Sequence, residues 1–239
     1  MARPFAVFDI DGTIIRWQLY HAIADELVKM GQLDPDRYEK VRAARMTWKQ
    51  RAHETSYHDY EQALIVFFED AVTGLSVETL KQACGAVLDR YKDQAYTYTR
   101  DLIKELKAQD YLLFAISASQ DMIVNLLAMY YDFDDAGGST YDVKNGKFTG
   151  RSQILRSEHK PEYLKQLVKK HGATWQGSIA VGDSEGDIPM LATVKQPIAF
   201  NPTRELFDHA RAHGWKIVVE RKSMVYELEP KDGKYGLAA

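Results

Sequence analysis

The sequence predicts an α/β protein, a mostly parallel sheet covered by helices on both faces and interrupted early by an inserted all-α helical bundle. Three observations carry that expectation. Short, continuous apolar runs at residues 5–8, 111–116, 178–181 and 197–200 alternate with stretches of helical periodicity. Such runs suit strands buried on both faces, as a covered parallel sheet requires. The stretch from about Gln18 to Lys92 shows no convincing strand. Finally, the runs end in Asp9 and Asp11, Ser117, and Asp183. Parallel strands would bring these groups to one sheet edge, where open α/β sheets bind their ligands.

Taken in chain order, residues 5–8 form a strand stopped by the polar turn Asp9-Ile10-Asp11-Gly12-Thr13. Leu19, Ile23, Leu27 and Met30 then recur at helical spacing, with Gly31 as the stop. Residues 38–52, 60–72 and 77–91 give three more helices, the last capped by Ser76, with Thr79 where a full capping box would place an acid or amide. Four helices in a row pack as a small bundle. From about Thr99 the alternation resumes: helix 101–109, strand 111–116, helix 121–130, and a weak strand at 135–138. A hairpin follows around Asn145-Gly146. Helix 161–171 has Pro161 in its first turn. Strands at 178–181 and 197–200 and helix 204–213 lead to a final strand at 215–219. The polar tail from Glu229 reads as loose.

Composition narrows the function classes. The 239 residues are 45% hydrophobic and 27% charged, ample for a core without disulfide or metal staples. Lys and Arg number 31 against 34 Asp and Glu, a net charge of −3, which offers no electrostatic footprint for nucleic acid or an anionic membrane. The single cysteine, Cys84, excludes an internal disulfide and a thiolate zinc site, and it reads as a small hydrophobe. No run approaches the roughly 20 apolar residues of a membrane span, and residues 5–8 are too short for a signal-peptide core. A soluble cytoplasmic protein with a small-molecule partner is expected.

The polar strand ends carry the chemistry. Asp9 and Asp11 flank one residue, and Gly12 permits a sharp turn. Two acids so close repel, which raises one pKa unless a cation sits between them. Mg²⁺, which favours carboxylates, carbonyls, water and phosphate, resolves that conflict. Asp183 and Asp187 are four apart, so an incipient helix puts them on one side. Ser117 at a helix start could hold a phosphate, and Lys160 lies at a helix start, where its charge does nothing for the macrodipole. Each piece alone has a bland reading: a solvated turn, an acidic helix N-terminus, an ordinary N-cap, a solvated lysine.

In this order, strand–Asp9-Ile10-Asp11-Gly12-Thr13, strand–Ser117, Lys160-Pro161, and strand–Gly182-Asp183-Ser184 with Asp187 resemble the haloacid dehalogenase (HAD) superfamily of phosphohydrolases. The resemblance covers about residues 5–16 and 95–220, and the insert resembles the C1-type helical cap of the phosphoserine-phosphatase-like branch, subfamily IB. It implies a Rossmann-like core of residues 1–16 and 93–239 with a cap of residues 17–92. It further implies Mg²⁺-dependent hydrolysis of a phosphate monoester. By residue, Asp9 would be the nucleophile that becomes an aspartyl-phosphate, and Asp11 the acid and then the base. Ser117 and Lys160, with Gly12 and Ala118, would hold the phosphoryl oxygens. The metal would take Asp9, Asp11 through its carbonyl, Asp183, and Asp187 as outer ligand or as orienter of Lys160.

A cap in this position would act as a lid, with hinges near Arg16-Trp17 and residues 93–96, and with Trp17, Gln18, Arg45 and Phe67 expected to contact substrate. Phosphoserine phosphatases carry a Glu after the first motif and an Arg in the cap. Gln18 and Phe67 fall at those places, which favours another organic phosphate over phosphoserine. A phosphotransferase or mutase on the same scaffold, and a non-catalytic phosphate-binding protein, are the alternatives.

Overall fold

The computed structural model describes residues 2–231 and 234–238. Strand β1 (Pro4–Phe8) is followed by helices α1 (Leu19–Lys29), α2 (Pro35–Lys49), α3 (Ser56–Val72), α4 (Val77–Tyr91) and α5 (Thr97–Ala108). Then come β2 (Leu112–Gln120), α6 (Asp121–Tyr130), β3 (Asp135–Lys144), β4 (Lys147–Gln153), α7 (Lys160–His171) and β5 (Thr174–Gly182). The chain finishes with α8 (Ile188–Leu191), β6 (Gln196–Phe200), α9 (Arg204–His213), β7 (Lys216–Arg221), β8 (Met224–Lys231) and β9 (Lys234–Leu237).

One sheet runs in the order β4-β3-β2-β1-β5-β6-β7-β8-β9. The pairs from β3 across to β7 are parallel, and the flanking pairs β3–β4, β7–β8 and β8–β9 are antiparallel. The continuous apolar runs have the expected cause. Phe5 and Val7 bury against Leu164, Leu167, Leu191 and Leu206, whereas Ala6 and Phe8 belong to the core on the other side with Ile103, Leu106, Ile123 and Leu127. With helices on both faces, neither phase of the strand period can be polar.

β1 lies between β2 and β5, with Phe8 level with both Ala115 and Val181. The order reverses at this point, the switch where α/β sheets open a crevice. Within two residues of that level the chain reaches Asp9, Ser117 and Asp183.

The helices between β1 and α5 leave and re-enter through paired linkers. The Arg16 amide donates to the Gln94 carbonyl at 3.0 Å and the Tyr96 amide to the Ile14 carbonyl at 2.9 Å. Glu220 on β7 fastens the joint. Its buried carboxylate accepts from the Thr97 and Tyr98 amides at 3.1 and 2.9 Å, satisfying donors at the start of α5, and pairs with Arg16 at 2.5 Å. The helices also dock on the β3–β4 hairpin. Val77 and Gly74 donate amides to the Gly146 and Phe148 carbonyls, each at 2.9 Å, and the Tyr20 and Tyr141 hydroxyls meet at 2.7 Å.

Three expectations need correction. β2 does not stop before Ser117 but continues to Gln120, so Ser117 lies in a strand, and the Gln120 side chain caps α6 by accepting the Met122 amide at 2.8 Å. The strand near 215–219 is not the last, and the tail from Glu229 is not loose in its described part: β8 and β9 extend the sheet. Their polar alternation mimics loop because an antiparallel edge buries one face at most. Tyr235 secures β9 by donating toward the Trp215 and Ala210 carbonyls at 2.7 and 3.1 Å. Cys84 is fully buried, and burial pushes its thiol up to about 12. No helix among the described residues is long and apolar enough to cross a membrane.

Glu220 makes three charge-assisted contacts that solvent cannot replace. Glu220→Ala should lower the unfolding free energy by about 2–3 kcal/mol, and Arg16→Ala, whose side chain is half exposed, by about 1 kcal/mol or less. Urea denaturation of the two variants checks the order, and equal losses would contradict it.

Candidate active site

β1 ends in a turn wound tightly on itself. The Thr13 and Ile14 amides both donate to the Ile10 carbonyl, at 3.2 and 2.9 Å. Gly12 has φ of +87°, and a Cβ there would overlap the Asp183 carboxylate, so only glycine lets the two loops meet. Gly182 is subject to a similar limit, since a Cβ at that position would crowd the Asp187 side chain.

Asp9, fixed by its amide on the Val181 carbonyl at 2.9 Å, is 6% exposed. Lys160, at the first position of α7, is 5% exposed. Its Nζ donates to Asp9 Oδ1 at 2.8 Å and to Asp187 Oδ1 at 2.6 Å. Asp187 Oδ2 in turn accepts the Asp183 and Ser184 amides at 3.1 Å and the Ser184 hydroxyl at 3.2 Å. Both Asp187 oxygens are therefore engaged with protein, which suits a group that orients Lys160.

Asp11 faces another way. Its Oδ1 accepts the Leu19 amide at 2.5 Å, and its Oδ2 accepts the hydroxyls of Ser117 at 2.8 Å and Ser119 at 2.9 Å. The Ser119 amide donates to Ser117 Oγ at 3.0 Å. Ser119 was not singled out from sequence. A second hydroxyl two residues after Ser117, hence on the same side of an extended strand, was the available signal.

Electrostatics follow from crowding. Four carboxylates, those of Asp9, Asp11, Asp183 and Asp187, surround one ammonium. Burial, then Asp187, pushes Asp9 up to about 8 against the pull of Lys160. Burial also raises Asp183 and Asp11, the latter opposed by its three hydrogen bonds. For Lys160, burial disfavours the charge, but Asp187 and Asp9 more than offset it and the net shift is upward. The lysine stays charged, and one lysine cannot keep every acid ionised.

Asp9, Asp183 and Asp187 each offer a carboxylate oxygen, all within 4.8 Å of one another. An all-oxygen set with excess negative charge fits a hard divalent cation. The Asp11 carboxylate is outside this group, held by Leu19, Ser117 and Ser119.

A cavity of about 370 Å³ opens above these residues, lined on its floor by Asp9, Asp11, Ser117, Ala118, Lys160 and Asp183. Of the four substrate contacts expected from sequence, Gln18 is on its wall. The other three are elsewhere. Phe67 is 8% exposed and packs on Tyr38 between helices, while Trp17 stacks on Tyr91 at 5.2 Å with the Arg45 guanidinium 4.7 Å over its ring. Chain position placed Phe67 near the site, but its helical phase turns it inward. Tyr57, Tyr60 and Glu61 of α3 line the cavity instead.

The haloacid dehalogenase-like hydrolase family model matches residues 6–192, most of the chain. A phosphoserine phosphatase of Methanocaldococcus jannaschii is 33% identical over 102 residues, covering 42% of this chain and 48% of the relative. The chain thus spans about half the length of that relative. A histidinol-phosphatase of Neisseria meningitidis serogroup C is 24% identical over 229 residues, covering 90% of this chain and 98% of the relative. Among solved structures, one described as a phospho-aspartyl intermediate analogue of phosphoserine phosphatase superposes with a TM-score of 0.65 at 24% identity, covering 93% and 95% of the two chains. At that identity it speaks to fold.

With no divalent cation bound, Asp9 takes up protons in the folded state that it would not hold when unfolded, where its pKa is 3.8. The sign is therefore a loss of stability as pH rises from there through about 8. In EDTA the melting temperature should fall between about pH 5 and pH 8, and added Mg²⁺ should raise it more at the higher pH. Thermal melts check this, and a Mg²⁺ effect equal at both pH values would contradict it.

Proposed function

The chain belongs to the haloacid dehalogenase-like hydrolase family, and on that premise we propose that it hydrolyses a small organic phosphate monoester through a phosphoryl group carried on Asp9. One observation carries the reading: Lys160 Nζ bridges Asp9 and Asp187 at 2.8 and 2.6 Å at the bottom of a cavity. A buried ammonium so placed can steady both a carboxylate nucleophile and the oxygens of a phosphoryl group. Relatives named for phosphatases of two different esters support the reaction class and do not choose the ester.

In the first step an Asp9 carboxylate oxygen attacks phosphorus and the bond from phosphorus to the ester oxygen breaks. The departing alkoxide takes its proton from Asp11, whose burial favours the protonated form. The Ser117 and Ser119 hydroxyls, which donate to Asp11 Oδ2 when it is ionised, can rotate to accept when it carries the proton. In the second step Asp11 removes a proton from water as the water oxygen attacks phosphorus. The bond to Asp9 breaks, releasing inorganic phosphate and restoring the carboxylate. Lys160 has three N–H donors, two of them spent on Asp9 and Asp187. The third, with the backbone around Gly12 and Ala118, is available to phosphoryl oxygens. Mg²⁺ held by Asp9, Asp183 and the Asp11 carbonyl, with Asp187 behind, would neutralise charge on the phosphoryl group.

In the same reading residues 17–92 form a cap hinged at Arg16 and at residues 93–96, where the two linkers pair. The Asp11 carboxylate touches the first amide of α1. Movement of the cap would therefore change how tightly the acid–base group is held.

Release of inorganic phosphate from a panel of phosphorylated metabolites, with Mg²⁺ and then with excess EDTA, tests the proposal. Release without an added alcohol separates hydrolysis from transfer to a second alcohol. Asp9→Asn should abolish turnover and the phosphoprotein detected by intact mass after acid quench. Asp11→Asn should slow turnover by roughly 10²–10⁴-fold while leaving phosphoprotein detectable. Normal turnover in Asp9→Asn would exclude the mechanism.

A further inference from the structure

The outer half of the cavity is built for something other than phosphate. Tyr57, Glu61, Leu64 and Ile65 recur along one stripe of α3 and line it, with Gln18 alongside. Tyr60 and Tyr57 are braced from behind by Trp48, which stacks on Tyr60 at 5.2 Å and tilts against Tyr57 at 5.0 Å. Tyr60 lines the cavity though only 1% exposed, and its buried hydroxyl has no hydrogen-bond partner. Gln18 gives its amide nitrogen to the Tyr57 hydroxyl at 3.4 Å, and its buried Oε1 is unpartnered. An amide can turn end for end, so the weight falls on Glu61 and Tyr60.

Glu61 makes no hydrogen bond or ion pair within the protein among the described residues. Its carboxyl is held above the usual range by burial and then by Glu185, while His58 and Lys160 pull it down. Away from the floor, the charged lining consists of Glu61, Glu158 and Glu185 against Arg156, with His58 exposed at the rim. Glu185 is engaged by the Thr203 hydroxyl at 3.0 Å. Glu61 is partly exposed in the cavity and has no partner in the protein among the described residues, whereas the buried Tyr60 hydroxyl without a partner costs stability that nothing in the protein returns. A ligand bearing several N–H donors and a positive charge would pair with both and would lie beside Tyr57 and Tyr60. An anionic group would face three acids, and a neutral apolar one would leave Glu61 uncompensated.

We propose that Glu61, with Tyr60 and Tyr57, forms a cation subsite that selects phosphate esters whose alcohol carries an ammonium or similar N–H-bearing cation. The inference rests on the hydrolase reading above and names the substrate class for that site. Glu61 acts on the leaving-group side and takes no part in bond making at phosphorus.

The test compares kcat/KM for three esters of similar length with Mg²⁺ present: 3-aminopropyl phosphate, butyl phosphate and 2-carboxyethyl phosphate. The wild-type protein should prefer the amino ester over the butyl ester by about tenfold or more. In Glu61→Gln that ratio should shrink by about tenfold, chiefly through KM, and Glu61→Asp, which keeps the charge, should restore part of it. Tyr60→Phe should reduce the ratio by a smaller factor, and Glu61→Lys should shift preference toward the carboxyethyl ester. A purely structural role for Glu61 would alter all three esters alike and leave the ratios unmoved. Hydrolysis with no amino preference, or a preference that survives Glu61→Gln, overturns the cation subsite and leaves the hydrolase reading standing. Failure to hydrolyse any ester overturns both.

Discussion

One ammonium group among four carboxylates is the constraint on which the rest depends. Lys160 is buried against Asp9 and Asp187, with Asp183 and Asp11 close by. Burying so many charges costs more than a single ion pair returns. Two of the acids are fixed by further hydrogen bonds, Asp187 by the 183–184 backbone and Ser184, and Asp11 by two serines and an amide. What remains is an excess of negative charge facing a cavity. A fold optimised for stability alone would replace such a cluster with apolar packing. Its presence is intelligible if a divalent cation completes the balance and lets an anionic phosphoryl group approach.

The sheet exists to hold that cluster still. β1 is enclosed by parallel neighbours and covered on both faces, so Asp9 leaves a strand with no freedom to shift. Gly12 and Gly182 let the loops approach until their side chains touch. By contrast, the helices inserted after β1 are joined to this rigid part through two short paired linkers and the Glu220 carboxylate. They also dock on the β3–β4 hairpin, and α4 packs on α6 in one continuous apolar core with that face of the sheet. In the proposed reading the sheet carries the chemistry and the inserted helices carry the contacts to the rest of the ester, a division of labour that suits a hydrolase.

The leaving-group side of the cavity shows that division. The floor is made by strand ends, and the upper wall by one stripe of α3 with Gln18. Changing a few residues along that stripe would alter the ester accepted without moving Asp9 or Lys160.

Much of this was legible in the residue order. The apolar runs marked the central strands, and the four helices after β1 matched their periodicity, down to the Ser76 cap accepting the Thr79 amide at 3.0 Å. Parallel strands ending together bring Asp9, Ser117 and Asp183 to one sheet edge, whereas Lys160 and Asp187 were expected there only from the family resemblance. β8 and β9 were missed because an edge strand buries too little to show a pattern. Ser117 was assigned to a helix start because small polar residues end strands and begin helices alike. The sequence alone determined the central strands and the sheet edge at which Asp9, Ser117 and Asp183 would gather, since hydrophobic runs and strand period are local properties of the chain. Only the tertiary structure decided that Asp11 rests on Ser117 and Ser119, that Phe67 turns into the helical core, and that Glu61 and Tyr60 face the cavity. Those outcomes depend on the rotation of each helix and on which distant surfaces compete for its faces, and no local pattern records either.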